Sequence, residues 1–354
     1  MPAIAIARAL VARGHPASSI MFVGSSRGIE RRMVPEAGFE LVALPGRGIA
    51  RRLTVSNIRA AAGLLAATVR ALSVLRRARP AVAVVVGGYA SVPAAAAAIL
   101  LGVPVVVSEQ NAVPGLANRL AGRFAAACAT SFPGTPLPRA VTTGNPVRAE
   151  IARADCSEAG RAAARVELGV DADTVVVAAV GGSLGSLRIN EAVFALAASW
   201  ATRRGITVYH VVGERDWDRF SSSGIPTNHG GIDYRRVKFE ERMDLVLRAS
   251  DLVVSRAGAT TVAEIAAVGV ASILVPLGGS PGNHQAHNAQ VMADAGASIT
   301  IPDSELDGQT LAESVEGLIA DPGRLRRMAG AARSLGRPDA ADSVARLVES
   351  HARD

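Results

Sequence analysis

The chain has 354 residues, 49% of them hydrophobic and only 3% aromatic, a size that favours two domains over one. Two cysteines, Cys128 and Cys156, exclude a disulfide framework and a cysteine-rich metal site, and they fit a reducing cytoplasm. The formal charge is +7, carried almost wholly by arginine with Lys238 the one lysine; the basic residues are not interleaved with aromatics, which argues against nucleic-acid binding and leaves attraction to anionic groups.

In the first half, helices alternate with short apolar strands. An amphipathic helix from Ala3 to Arg13 leads to a strand over 19–23, and Gly24-Ser25-Ser26-Arg27-Gly28 turns into a helix over 29–37. A strand over 40–44 and the turn Pro45-Gly46-Arg47-Gly48 precede a helix over 54–77. Pro80 to Ser108 has no charged residue, long enough to span a bilayer, but Gly87-Gly88 and Gly102-Val103-Pro104 interrupt it. It is read as strand 82–86, helix 93–101 and strand 104–108, all buried in an α/β core. Strands over 126–131 and 140–143 close this half, which ends on Gly144-Asn145-Pro146-Val147-Arg148. No signal-peptide pattern opens it.

Residues 151–173, charged and alanine-rich, read as a linker with a helix. The alternation then restarts with strand 174–180, the glycine turn 181–186, helix 188–204 and strands over 207–212 and 234–239. Leu252-Val253-Val254 is a buried strand, Ser255–Thr261 a small-residue turn, and 262–267 a helix stopped by Gly269. Strand 272–276 leads to the polar loop Gly282–Asn288, and helices fill the chain from Leu311. Repeated βα units in two halves predict two doubly wound domains facing across a cleft. A helix opening after a small-residue turn offers free backbone N–H groups and its dipole's positive end, which suits a phosphate or pyrophosphate. Glu264, one turn in, can accept from two ribose hydroxyls, and the Asn/His/Gln cluster suits a sugar. The Gly181–Ser186 turn is a second phosphate-loop candidate. Together they suggest a nucleotide-sugar site; no Asp-x-Asp pair adjoins either turn, so no metal or other cofactor is expected.

Five segments fall in the order and spacing of one family: Gly87-Gly88-Tyr89-Ala90-Ser91, Glu109–Arg119, Gly144–Arg148, Gly181–Gly185 and Ser255–Thr261. The chain resembles MurG, the membrane-associated N-acetylglucosaminyltransferase family of peptidoglycan synthesis, over essentially its whole length. The resemblance implies a GT-B fold and inverting transfer of N-acetylglucosamine from UDP-GlcNAc to the C4 hydroxyl of the muramyl sugar on lipid I, giving lipid II. It implies an acceptor and membrane-docking domain over 1–150 and a UDP-GlcNAc domain over 151–337; the last helix, read over 338–352 from the sequence pattern within the segment 338–354, is expected to return to the first domain. Glu264 would bind ribose, Ala259, Thr260 and Thr261 the pyrophosphate, and His284 and Gln285 the sugar hydroxyls. Ser183 would belong to the donor loop, with Arg148 near the nucleotide and Asn111 near the reacting sugar.

Two departures accompany the match. Leu184 stands where the family usually has glutamine. The family's first strand and Gly-Gly-x-Gly-Gly-His loop, which carries its proposed base, should precede the residues matching Pro2-Ala3-Ile4-Ala5 and is absent. The expectation is therefore a first domain without a central strand and an unassigned base, with His15 a poor candidate and Glu109 either base or loop organiser. A lipid acceptor requires docking on a membrane, and Arg47, Ile49, Arg51, Arg52 and Leu53 form the candidate patch for a peripheral protein on the cytoplasmic face. The competing readings are another GT-B UDP-sugar enzyme, such as a glycolipid synthase or epimerase, and a catalytically silent UDP-sugar-binding protein.

Overall fold

The computed structural model describes residues 1–25, 28–44, 55–88, 91–182, 185–221 and 231–353, without the side chains of 55–62 and 281. The docking patch at Arg47, Ile49, Arg51, Arg52 and Leu53, and the donor-loop residues Ser183 and Leu184, lie outside them. The chain divides into two compact units, Met1–Arg148 with Asp339–Asp354, and Ala149–Pro338.

The first unit runs α1 (Pro2–Ala12), β1 (Met21–Ser25), α2 (Glu30–Glu36), β2 (Glu40–Leu44), α3 (Val55–Ala78), β3 (Ala83–Val85), α4 (Ser91–Leu100), β4 (Val105–Glu109), α5 (Leu116–Gly122), β5 (Ala127–Thr130) and β6 (Ala140–Thr142). Its strands make two parallel sheets, β1-β2 and β3-β4-β5-β6. Both sheets share their helices. Ile6 of α1 packs with Val106 and Ala129, while Ala7, one residue on, packs with Val34 and Phe39. Leu44 of β2 shares a core with Ala71, Ala97 and Val107. The apolar block from Pro80 is thus strand, helix and strand, as its glycine breaks dictate. Among the described residues, no helix is long and apolar enough to cross a membrane.

The second unit runs α6 (Ala149–Ala152), α7 (Glu158–Leu168), β7 (Val175–Val180), α8 (Leu187–Ser199), β8 (Ile206–Val211), α9 (Trp217–Ser221), β9 (Asp233–Val237), α10 (Met243–Ala249), β10 (Leu252–Ser255), α11 (Ala259–Val268), β11 (Ala271–Leu274), α12 (His284–Asp294), β12 (Ser298–Thr300), α13 (Gly308–Ile319) and α14 (Pro322–Leu335). Six parallel strands stand in the order β12-β11-β10-β7-β8-β9. Counted from β7, this is the dinucleotide-fold order 3-2-1-4-5-6, whose direction reverses between β7 and β10. Helices cover both faces, so β8, β10 and β11 are buried along their whole length.

Residues 151–173 are not a free linker. Ala164 and Leu168 of α7 pack on Leu245 and Ala249 of α10. Arg165, 7% exposed, donates to the Ala249 carbonyl at 3.1 Å and to Asp251 at 2.8 Å, and Asp251 also accepts from the Val176 N–H. The polar run at Asn283–Asn288 is likewise not a loop, since α12 begins at His284. Its buried apolar positions, Ala289 and Met292, come only after the polar residues and hide the helical period. The last helix, α15 (Ala340–Glu349), belongs to the first unit. It packs on α1, with Arg13 donating to Glu349 at 2.8 Å and to Asp342 at 2.9 Å.

Candidate nucleotide-sugar site

The glycine turns 181–186 and 255–258 follow β7 and β10, the two strands that flank the reversal of strand order in the second unit. Open α/β sheets bind ligands outside the carboxyl ends of such strands. Each turn feeds a helix, and the starts of those helices differ from those of α7, α13 and α14, while α10 and α12 also lack a side-chain cap. At α7, α13 and α14 the side chains of Ser157, Asp307 and Asp321 accept first-turn N–H groups. At α8 and α11 the cap residues, Ser186 and Gly258, make no such side-chain bond. In α11 the Val262 N–H reaches the Gly258 carbonyl at 2.9 Å, and the N–H groups of Ala259, Thr260 and Thr261 have no partner within the helix. Two helix starts at the switch point therefore keep their positive ends for an outside acceptor.

The glycines have steric reasons. A Cβ on Gly185, at φ +79°, would lie 2.4 Å from the Val212 carbonyl oxygen. One on Gly181 would lie 2.3 Å from the Ser186 nitrogen. The first glycine lets the chain fold back onto its own helix start, and the second lets it press against the turn after β8.

Of the residues singled out from the sequence, Ala259, Thr260, Thr261 and Glu264 lie on the first two turns of α11, and His284 and Gln285 open α12. These two helix starts are joined. Asn288 of α12, fully buried, donates to the Ala257 carbonyl at 3.2 Å, and Gln285 Oε1 accepts from the Leu277 N–H at 2.9 Å. Glu264 is 7% exposed, within the buried stripe of α11. Asn111 and Arg148 belong to the first unit. Asn111 is held there by Glu109, whose Oε1 accepts both its N–H, at 2.9 Å, and its Nδ2, at 3.1 Å.

Both candidate bases are engaged. Glu109 Oε2 accepts from the Gly115 N–H at 3.0 Å and from Asn118 Nδ2 at 2.9 Å, so four bonds tie this buried carboxylate to the 110–118 segment. These bonds organise the loop. His15 lies 3.0 Å from Glu349 on the α1–α15 surface.

Sequence reading missed a further element of the site, the pin between Arg256 and Asp303. Arg256 donates to the Val275 carbonyl at 3.2 Å and to Asp303 at 2.5 Å, and Arg188 of α8 donates to the Asp303 carbonyl at 3.0 Å. The turns after β10, β11 and β12 and the first turn of α8 are thereby tied together. Only an arginine inside a glycine-bearing turn signalled it.

Residues 175–344 match the glycosyltransferase family 28 C-terminal domain, and residues 1–130 match its N-terminal domain. Relatives called UDP-N-acetylglucosamine--N-acetylmuramyl-(pentapeptide) pyrophosphoryl-undecaprenol N-acetylglucosamine transferase run through the whole chain. The one from Clavibacter michiganensis is 42% identical over 98% of this chain and 92% of its own. The one from Desulforudis audaxviator is 37% identical over 98% and 94%. The chain belongs to the MurG family. The crystal structure of Acinetobacter baumannii MurG superposes with a TM-score of 0.78 at 27% identity, covering 99% of this chain and 95% of that one. A UDP-GlcNAc 2-epimerase from Neisseria meningitidis, at 13% identity and a TM-score of 0.64, shares the fold alone. As a MurG-family chain, the protein has the GT-B architecture of two Rossmann-like α/β domains.

Proposed function

We propose that the protein is a hexosyltransferase that moves N-acetylglucosamine from UDP-GlcNAc to the C4 hydroxyl of the muramyl sugar of lipid I, forming lipid II with inversion at the anomeric carbon. The observation that carries this reading is the pair of helix starts without side-chain caps at the switch point, in a chain that aligns end to end with MurG relatives. Loss of UDP builds negative charge on the leaving pyrophosphate, and the starts of α8 and α11 meet it with fixed N–H dipoles. Glu264 accepts from the ribose hydroxyls, Ala259, Thr260 and Thr261 donate to the pyrophosphate, and His284 and Gln285 address the sugar. Ser183 completes the donor loop, Arg148 lies near the nucleotide and Asn111 near the reacting sugar. The second unit is the donor domain and the first the acceptor domain.

The acceptor lipid calls for a peripheral protein at the cytoplasmic face of the membrane. Besides the Arg47–Leu53 patch, α5 and the residues after it offer a suitable surface. Leu116, Leu120 and Phe124, spaced four apart, are 69%, 46% and 67% exposed, with exposed Arg119 and Arg123 between them. Apolar side chains beside arginines suit the boundary of an anionic leaflet.

The test is transfer of radiolabelled GlcNAc from UDP-GlcNAc to a lipid I analogue, with the product resolved by chromatography. Labelled lipid II is the expected result. Binding of UDP-GlcNAc without any transfer would favour the silent binding protein instead.

A further inference from the structure

Behind the two glycine turns, inside the second unit, lies a line of polar side chains that the transfer chemistry does not use. Asn190 of α8 and His210 of β8 are both fully buried, 0% exposed, and Tyr234 of β9 is 1% exposed. Such groups are costly in an apolar core unless each finds a partner, and each does. His210 Nδ1 lies 2.8 Å from the Tyr234 hydroxyl, and its Nε2 lies 3.0 Å from Asn190 Oδ1. Asn190 Nδ2 donates to the Val212 carbonyl and to Asp216 Oδ2, both at 3.0 Å. Arg215 donates to Asp216 Oδ1 at 3.1 Å and to the Gly185 carbonyl at 3.4 Å.

The direction of every bond follows from its far end. Two acceptors on Nδ2 fix the Asn190 amide, so its Oδ1 must accept. His210 Nε2 therefore carries the proton, and Nδ1 accepts from the Tyr234 hydroxyl. Burial and then Arg236 hold the imidazole neutral, its pKa lowered to about 3. The chain of donors runs one way, from Tyr234 through His210 and Asn190 to the Val212 carbonyl. That carbonyl is the atom a side chain at position 185 would strike. Asn190 thus holds the Val212 carbonyl against which Gly185 packs.

We propose that Asn190 is a positioning residue for the donor site, its amide set by the Val212 carbonyl and Asp216 and anchored by His210 and Tyr234, so that the turn after β8 supports Gly185 of the glycine turn 181–186 in the geometry that takes the diphosphate. The inference rests on the reading of that turn as part of the UDP-GlcNAc site. Asn190 touches no substrate.

The test compares Asn190→Ala, Tyr234→Phe and Glu264→Ala in the full chain, by calorimetric titration with UDP and by steady-state transfer. A positioning role predicts that Asn190→Ala raises both the UDP dissociation constant and the KM for UDP-GlcNAc by about tenfold, at a temperature well below its melting point, with kcat altered less than about threefold. Tyr234→Phe keeps the ring and removes only the donor to His210 Nδ1. It should shift affinity in the same direction by less, and the 15N signals of the His210 imidazole should keep the Nε2–H form that Asn190 Oδ1 selects, whereas Asn190→Ala should release it to a mixture. Tyr234→Phe also serves as the readout if Asn190→Ala does not fold. Folded Asn190→Ala and Tyr234→Phe proteins with parental UDP affinity and KM, beside a weakened Glu264→Ala, would overturn the inference and leave the donor site standing. Unchanged UDP binding in Glu264→Ala would instead remove the donor-site reading on which it rests.

Discussion

Arg256 and Asp303 form an ion pair at 2.5 Å, and the same guanidinium nitrogen reaches the Val275 carbonyl at 3.2 Å. Their side chains are 12% and 20% exposed, so water screens the pair only in part. Asp303→Ala leaves the arginine half-buried without its carboxylate and unties the turns after β10 and β12. The expected loss is about 2 kcal/mol of unfolding free energy, read from urea denaturation midpoints. A variant with the parental midpoint would show that the pair contributes nothing net.

Glu264 carries a separate prediction. A carboxylate accepting from two ribose hydroxyls makes charge-assisted bonds worth roughly 1.5–3 kcal/mol each. Glu264→Ala should weaken UDP binding at least about tenfold by calorimetric titration. An unchanged dissociation constant in a folded variant rejects the ribose assignment.

The buried histidine gives the second unit a pH dependence of definite sign. Unfolded, His210 takes up a proton near its ordinary 6.5; folded, it does so only near about 3. Between those values the unfolded chain binds more protons, so stability falls as pH falls, at about 1.4 kcal/mol per pH unit. From pH 7 to pH 5 the unfolding free energy should drop by roughly 2 kcal/mol. The carboxylates held low, such as Glu349 beside Arg13 and His15, act only further down the scale. His210→Gln should flatten the slope between pH 5 and pH 7; an equal slope in that variant would assign it to other groups.

UDP binding should survive excess EDTA, because helix starts supply the positive potential. The sequence does contain Asp216-Trp217-Asp218, and the fold brings Arg215, next to it, against the glycine turn. Asp216 is buried and committed to Asn190 and Arg215, and Asp218 is exposed on the first turn of α9. Loss of binding on chelation would show that a metal takes part.

Membrane docking can be divided between two surfaces by co-sedimentation with anionic liposomes. Replacing Arg47, Arg51 and Arg52 by serine tests the first patch, and Leu120→Ser with Phe124→Ser tests the second. Each variant should sediment less than the parent while binding UDP equally well. Parental sedimentation by both would put the lipid surface elsewhere.

The βα alternation of the second unit was legible because its strands are apolar runs between glycine turns, and the turns themselves pointed to the switch point. Short helices such as α5 and α9 were not, since one or two turns carry too little period to stand out. The start of α12 reads as a loop because its first turn is polar but for Ala286. The Asn190–His210 pair had one sequence signal, a histidine in the middle of the apolar strand Ile206–Val211. Its partner lies 20 residues away on a helix, and only the register of β7 against β8 brings them together.

The two-sheet arrangement of the first unit bears on how it opens. Among the described residues β1 pairs only with β2, and the buried core that holds this pair to α1 and α2 is Ala7, Val34 and Phe39. The β3–β6 sheet draws on a larger core, running from Ala67 to Leu137, which the pair joins through Leu44 and the partly buried Met21 and Val23. Amide protons of β1 and β2 should exchange with deuterium through a local opening that costs less than global unfolding, while those of β4 and β5 exchange only with the unit as a whole. The smaller sheet is then the part of the unit expected to open first.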